Sequence, residues 1–205
     1  ASDLITVEDT KKLLIHSRAN KSWTGIRNTA LIALLWDSGC RPSELLALRN
    51  KDFKKEKNYL IISIRESKTF PRDIITFAAI PFLEEWSKIS PTKEDPDGFF
   101  FSNAKKESVK YPALLKEFKK SLKRANLTFP KNVSLYMFRN AFISRNVNWP
   151  ERLIRYWAGH SQQGSASHYL ALSYIQCIEH YFDGLKDCGW VEEKPSWDEG
   201  DKISE

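Results

Sequence analysis

The sequence predicts an α+β fold that is mostly helical with a small antiparallel β-hairpin or sheet, and three observations predict it. Apolar residues recur at helical spacing in several stretches bounded by capping residues. Only two runs, Asn58 to Ile64 and Ile74 to Ala79, have the β-branched and aromatic content of strands. A basic segment, Arg65 to Asp73, separates those two runs and reads as a hairpin tip.

Taken in order, Thr6-x-x-Asp9 is a capping box that opens a helix through Leu13, Leu14 and Ile15, and a polar, basic loop from Arg18 to Trp23 ends it. Thr29 to Asp37 is apolar on every face and predicts a buried helix, with Gly39 as its C-terminal stop. Pro42 at a first helical position starts the next helix and carries Leu45, Leu46 and Leu48 inward, so Arg41 sits at a helix-to-helix junction. Beyond the hairpin, helical patterns cover Pro81 to Lys88, Tyr111 to Ala125, Ser134 to Asn146 and Glu151 to Ala158. A last amphipathic helix holds Tyr174, Ile175, Ile178, Tyr181, Phe182 and Leu185. It reads equally as a helix folded on its own core and as one that docks on a neighbouring copy.

The whole chain sets bounds on function. At 205 residues and 41% apolar composition it is long enough for one full-sized core and short for two. The expected organisation is one domain over residues 1–186 and a flexible acidic tail over 187–205. No apolar run reaches the roughly 18 residues a membrane helix needs. No secretory signal opens the chain, and three widely spaced cysteines, Cys40, Cys177 and Cys188, read as reduced thiols. Both point to the cytoplasm. Without CxxC, HxxxH or clustered carboxylates no metal site can be built. The net charge is +6, but residues 192–205 hold six acids and two lysines; the remainder has 30 basic against 20 acidic residues, a net +10. That excess suits a polyanion, although a solvated basic surface accounts for it as well.

Several side chains invite a chemical reading. Arg41 has a planar fork that fits two phosphate oxygens, with Glu44 three residues on to orient it; a structural Arg–Glu pair is the plain alternative. Tyr136 and Arg139 share a helix face different from the Leu135, Phe138 and Phe142 stripe. Lys68 sits at the hairpin tip, where a lysine either keeps the edge soluble or delivers a proton. Arg72 and Lys51 are candidates for contacts to a DNA backbone. His160 stands just past a helix end, and Tyr169 follows it by nine residues in AGHSQQGSASHYLALS. Singly, each has a structural explanation.

In combination, the order Arg, Lys, Tyr-x-x-Arg, Gly-His, Tyr resembles the catalytic domain of the tyrosine recombinases, the integrase family, over about Leu4 to Tyr181. Ala30 to Phe53 resembles that family's first arginine box, and Leu135 to Ser173 its second. The resemblance implies Arg41 and Arg139 as phosphate-binding arginines, Lys68 as general acid, His160 as a hydrogen-bond donor, Tyr169 as nucleophile and Glu44 as the acid supporting Arg41. Tyr136 departs from the pattern: most relatives have histidine there, and the replacement resembles integrases of archaeal viruses and plasmids. The family usually carries an N-terminal DNA-clamping domain, so the chain is expected to be part of a longer protein. The implied activity is site-specific cleavage and rejoining of double-stranded DNA through a 3′-phosphotyrosine, without metal, ATP or other cofactor, for integration or excision of a mobile element. The implied setting is a tetramer on DNA, formed from protomers that are monomeric when free, in the cytoplasm and nucleoid of a prokaryotic cell. Type IB topoisomerase-like relaxation and noncatalytic DNA binding are the alternatives.

Overall fold

Helix α2 (Trp23–Ser38) organises the molecule, because the computed structural model buries Ala30 through Ser38 without a break and lays other elements around them. Residues 4–129, 132–160 and 174–193 are described. The helix starts six residues before its apolar run: Ser22 caps it by accepting from Gly25 N, and its first turns are amphipathic rather than apolar. Arg27 is drawn inward there and donates to Ser102 O at 3.1 Å. Each fully buried Leu or Ile along α2 contributes about 1.5–3 kcal/mol relative to an exposed one.

Helix α1 (Val7–Arg18) carries the expected capping box, with Asp9 N donating to Thr6 Oγ1 and Thr6 N to Asp9 Oδ2. It packs against α2, as do α4 (Ile80–Ser87), α5 (Tyr111–Arg124) and α6 (Tyr136–Arg145). Helix α3 (Pro42–Leu46) follows α2 almost at once, separated only by Gly39, Cys40 and Arg41. The sheet is antiparallel in the order β1 (Phe53–Lys55), β2 (Leu60–Ile64), β3 (Arg72–Thr76). Strand β1 went unpredicted because Phe-Lys-Lys carries no strand signal; pairing of Phe53 with Ile62 defines it. Strand β3 begins at Arg72, two residues earlier than its apolar run, with Arg72 opposite Ile64.

Helices α6, α7 (Glu151–Ala158) and α8 (Tyr174–Asp187) meet in an aromatic cluster. Trp157 stacks on Tyr181 at 5.6 Å and on Phe142 at 6.0 Å, while Trp149 meets Trp157 edge-on at 5.3 Å. Trp157 Nε1 also donates to Ser38 O at 2.9 Å, which fixes the end of α7 beside the end of α2.

Of the two readings of α8, packing on its own core is what the structure shows: Ile178, Tyr181, Phe182 and Leu185 are all buried. Its polar anchor is Asp37, fully buried on the last turn of α2. Tyr181 Oη donates to Asp37 Oδ1 at 2.7 Å and accepts from Phe77 N at 2.8 Å. Asp37 Oδ2 accepts from Thr76 Oγ1, Phe77 N and Ala79 N. Burial raises the Asp37 pKa, against the lowering effect of its Thr76 and Tyr181 hydrogen bonds and of nearby Arg145.

The first residues of the expected flexible tail pack instead. Trp190 lies on Trp36 at 4.1 Å between ring centroids, and Lys11 Nζ donates to Gly189 O at 3.1 Å. The reason is the amphipathic indole of Trp190, which covers the end of α2; residues 194–205 lie outside the described set. No helix among the described residues is long and apolar enough to cross a membrane.

The Asp37–Tyr181 bond ties α8 to the core, so Tyr181→Phe is expected to destabilise the fold by about 1–3 kcal/mol, the cost of leaving a buried acceptor short of a donor. Equilibrium denaturation checks this; an unchanged midpoint would contradict the anchoring role.

Candidate active site

The end of α2, the start of α3, the hairpin loop and the end of α7 converge on one place, and six of the sequence-predicted residues, Arg41, Glu44, Lys68, Arg72, Arg139 and His160, stand there or beside it. Arg41 is the N-cap residue of α3, in extended backbone, preceded by Gly39 in the left-handed conformation at φ +60°. Glycine is required at 39 twice over: a Cβ there would lie 2.4 Å from the Phe142 ring. The chain therefore turns sharply between two packed helices and leaves Arg41 only 17% exposed.

Glu44 is the hub. Its carboxylate is buried and accepts from Arg41 N and Nη1, both at 3.0 Å, and from Ser67 Oγ at 2.8 Å. Arg72 adds a bidentate pair, Nη2 to Oε2 at 2.8 Å and Nη1 to Oε1 at 3.1 Å. Burial alone would raise the Glu44 pKa, but the Arg72 contacts and the Ser67 and Arg41 hydrogen bonds prevail and hold it at about 2. The expected Arg41–Glu44 relation is present, and its structural and chemical readings are compatible: the pair fixes one edge of the guanidinium.

Arg41 Nη2 donates to Gly159 O at 2.7 Å, so the arginine also reaches the end of α7. Gly159 caps that helix in the left-handed conformation, φ +62°, and His160 follows it directly, its backbone N bonded to Arg155 O at 2.9 Å. Arg139 comes from α6, is buried to 6% exposure, and donates from Nη1 to Gly39 O at 3.0 Å. Burial lowers its pKa, with the charge of Arg41 next in importance. His160 is half-buried; burial, then Arg139 and Arg41, lower its pKa, which keeps the ring neutral at pH 7. Arg41, Arg72 and Arg139 against Glu44 leave an excess of two positive charges. Such a charge balance is favourable to an anion.

Lys68 is exposed on the hairpin loop, and that loop is tied down on both sides of it by Ser67 Oγ to Glu44 and Thr69 Oγ1 to Gly159 O at 3.0 Å. Tyr136 is the first residue of α6, 44% exposed, one turn before Arg139. Lys51 is exposed in the 3₁₀ turn Asn50–Asp52, paired with Asp97. Tyr169 lies outside the described residues.

Arg72 is a correction. The sequence offers it, with Lys51, as a candidate DNA-backbone contact, yet its side chain is 0% exposed, clamped on Glu44 and donating from Nε to Trp157 O at 2.9 Å. Two-residue alternation explains why: Arg72 shares the inward face of β3 with Ile74 and Thr76. The same signal in the sequence would have found it. Ser67, Thr69 and Gly159 were missed, since small residues and a backbone carbonyl announce nothing until the elements meet.

Glu44 makes stability depend on acid. Its pKa falls from the ordinary 4.5 to about 2, so its contribution is full above 4.5 and disappears as pH drops through about 2. Glu44→Gln is expected to be less stable than the parent by about 3 kcal/mol at pH 7, with the gap closing between pH 4.5 and 2. Denaturant titrations across that range measure it, and a gap independent of pH would refute it.

Comparison with known proteins gives the family. The sequence pattern described as the phage integrase family matches residues 4–175. The chain is 24% identical over 182 residues to tyrosine recombinase XerC of Mesorhizobium japonicum, covering 86% of this chain and 57% of that protein. A probable integrase/recombinase protein of Methanocaldococcus jannaschii is 25% identical over 171 residues, covering 80% and 51%. The chain thus spans a little over half the length of these relatives. Among solved structures, XerH recombinase in a pre-cleavage complex with its difH substrate superposes with a TM-score of 0.63 at 25% identity, over 78% of this chain and 48% of that one. The lambda integrase catalytic core shares the fold, with a TM-score of 0.55 at 12% identity over 77% and 95%. With most of its length matched by the pattern and both arginines in the matched stretch, the chain belongs to the phage integrase family.

Proposed function

We propose that this chain cleaves and rejoins double-stranded DNA at specific sites through a 3′-phosphotyrosine, with Tyr169 as the nucleophile. The observation that carries the proposal is the convergence of Arg41, Arg139 and His160, three donors from three separate elements, around a place with two surplus positive charges. A DNA phosphodiester has one negative charge and gains more on its nonbridging oxygens as a fifth oxygen approaches phosphorus. Fixed guanidiniums meet that charge without reorganising, which is where such donors act most strongly.

In the proposed step the Tyr169 hydroxyl oxygen bonds to phosphorus and the P–O5′ bond breaks. Lys68, beside the site on its anchored loop, gives a proton to the leaving 5′ oxygen, and the nucleophile's proton passes to solvent or to a neighbouring base. The ester energy stays in the phosphotyrosine, so rejoining needs no ATP, and charge neutralisation by arginine takes the place of a metal. Tyr136, exposed one turn from Arg139, serves as a hydrogen-bond donor to a nonbridging oxygen. Attack by the 5′-hydroxyl of a partner strand then exchanges strands, and paired attachment sites engage four protomers, monomeric when free. XerH, 25% identical over 78% of this chain, is seen with its difH substrate before cleavage.

Duplex binding draws on a wider surface. Helix α5 shows Lys116, Lys119, Lys123 and Arg124 to solvent and packs on α6 through Phe118 and Phe138, 5.2 Å apart. Lys119 and Lys123 line a cleft of about 360 Å³ with Asn126 and Asn132. Lys51 is a further phosphate contact in this proposal.

The deciding experiment uses a duplex nicked next to the cleavage position, with EDTA present. The parent chain is expected to form a denaturant-resistant protein–DNA adduct that maps to Tyr169; Tyr169→Phe forms none, and Arg41→Ala or Arg139→Ala slows formation by about 10²–10³. An adduct surviving in Tyr169→Phe overturns the assignment. No adduct from the parent leaves a noncatalytic DNA-binding domain, and plasmid relaxation without exchanged product points to a topoisomerase. On intact duplexes, Lys119→Gln with Lys123→Gln should weaken binding to all sequences alike and flatten the slope of log affinity against log salt by about 1 per lost phosphate contact. An unchanged slope excludes that face.

A further inference from the structure

Arg72 faces no substrate, yet its guanidinium joins three of the elements that build the site. It holds both oxygens of Glu44 on α3, the Trp157 carbonyl on the last turn of α7, and Ser67 Oγ on the hairpin loop at 3.4 Å. Its place is also defined by what it excludes. A Cβ built on Gly159 would lie 2.6 Å from Arg72 Nη1 and 2.7 Å from its Cζ, so the guanidinium fills the volume a side chain at 159 would take. The Gly159 carbonyl in turn receives Arg41 Nη2 at 2.7 Å and Thr69 Oγ1 at 3.0 Å. One main-chain oxygen thus carries the free edge of Arg41 and the residue next to Lys68, and it immediately precedes His160.

We propose that Arg72 is a positioning residue for strand cleavage: seated against Gly159 and clamped on Glu44 and Trp157 O, it sets the Gly159–His160 backbone at the height where Arg41, His160 and the Lys68 loop share one phosphate. The chemistry requires arginine in particular. Two bonds to a carboxylate and a third to a carbonyl need a planar fork with separately directed donors, and an ammonium keeps the charge but loses that geometry. A cation alone would serve to neutralise Glu44; the flat guanidinium is what fits against a glycine. Misplacement of reacting groups by about 1 Å costs on the order of a hundredfold in rate, so a small shift of this backbone is felt at the phosphate.

The inference rests on the cleavage proposed above, and the two are tested separately. Arg72→Lys is compared with the parent for thermal midpoint, affinity for intact duplex, and single-turnover adduct formation on the nicked duplex. The expectation is a folded protein that binds duplex within about twofold of the parent and forms adduct at least about tenfold more slowly. Adduct formation at the parent rate overturns the proposal, as does a fall in affinity that accounts for the whole loss. If Arg72→Lys does not fold, Gly159→Ala takes its place with the same expectation, and cleavage at the parent rate by that variant overturns the proposal too. Should the parent form no adduct, the cleavage reading fails and NMR judges the inference: the His160 ring resonances must move in Arg72→Lys, and their coincidence with the parent's sinks it.

Discussion

The buried Glu44 carboxylate accepts from two arginines, a serine and a backbone N–H, and the rest of the site is arranged by what those four partners are attached to. An isolated carboxylate at this depth would take up a proton; held by Arg72 and Arg41, it remains charged well into acid. The partners differ in purpose. Arg72 spends its whole donor fork on protein groups, whereas Arg41 uses one edge on Glu44 and the other on Gly159 O. A single negative charge thereby keeps two cations close together and still leaves the site positive overall.

The same organisation explains where rigidity lies. Trp157, Trp149, Phe142 and Tyr181 lock the ends of α6, α7 and α8 together, and Asp37 fastens α8 to α2 by a buried hydrogen bond. The hairpin loop is joined to this body by two hydroxyls, Ser67, which donates to Glu44 and accepts a long bond from Arg72, and Thr69, which donates to Gly159 O, such bonds being worth about 1 kcal/mol net each. The arginines belong to the rigid body and Lys68 to the lightly held loop. In the proposed step that division suits the chemistry, since a proton donor has reason to be adjustable and a charge stabiliser does not.

Much of the fold was legible in the sequence because helix boundaries are written in short-range chemistry. Thr6 with Asp9, Gly39, and Pro42 after Arg41 each mark a terminus that the structure places where the residues indicate. The early start of α2 was not, since its apolar run begins about two turns after Ser22 caps it. Strand β1 depends on its partner rather than on its own residues, and Trp190 looked like part of an acidic tail until Trp36 gave it a surface. In the site, Glu44 was readable from its spacing to Arg41 alone. Arg72 was misread because its residue type suggested solvent while its position in the alternation of β3 said interior. That Arg41 and Arg139 meet, though 98 residues separate them, no local pattern conveys.

Gly39 bears on how far such a sequence can drift. Arg139 Nη1 holds its carbonyl, and the Phe142 ring, one turn further along α6, occupies the space where its side chain would be. Two residues later comes Arg41. The interval between the two arginines is therefore gauged by main-chain atoms and one missing methyl, not by the long side chains themselves. A gauge made of backbone leaves the surrounding side chains free to change, provided the glycine and the ring stay in register. Chains that share little of their sequence can inherit the same spacing between charges.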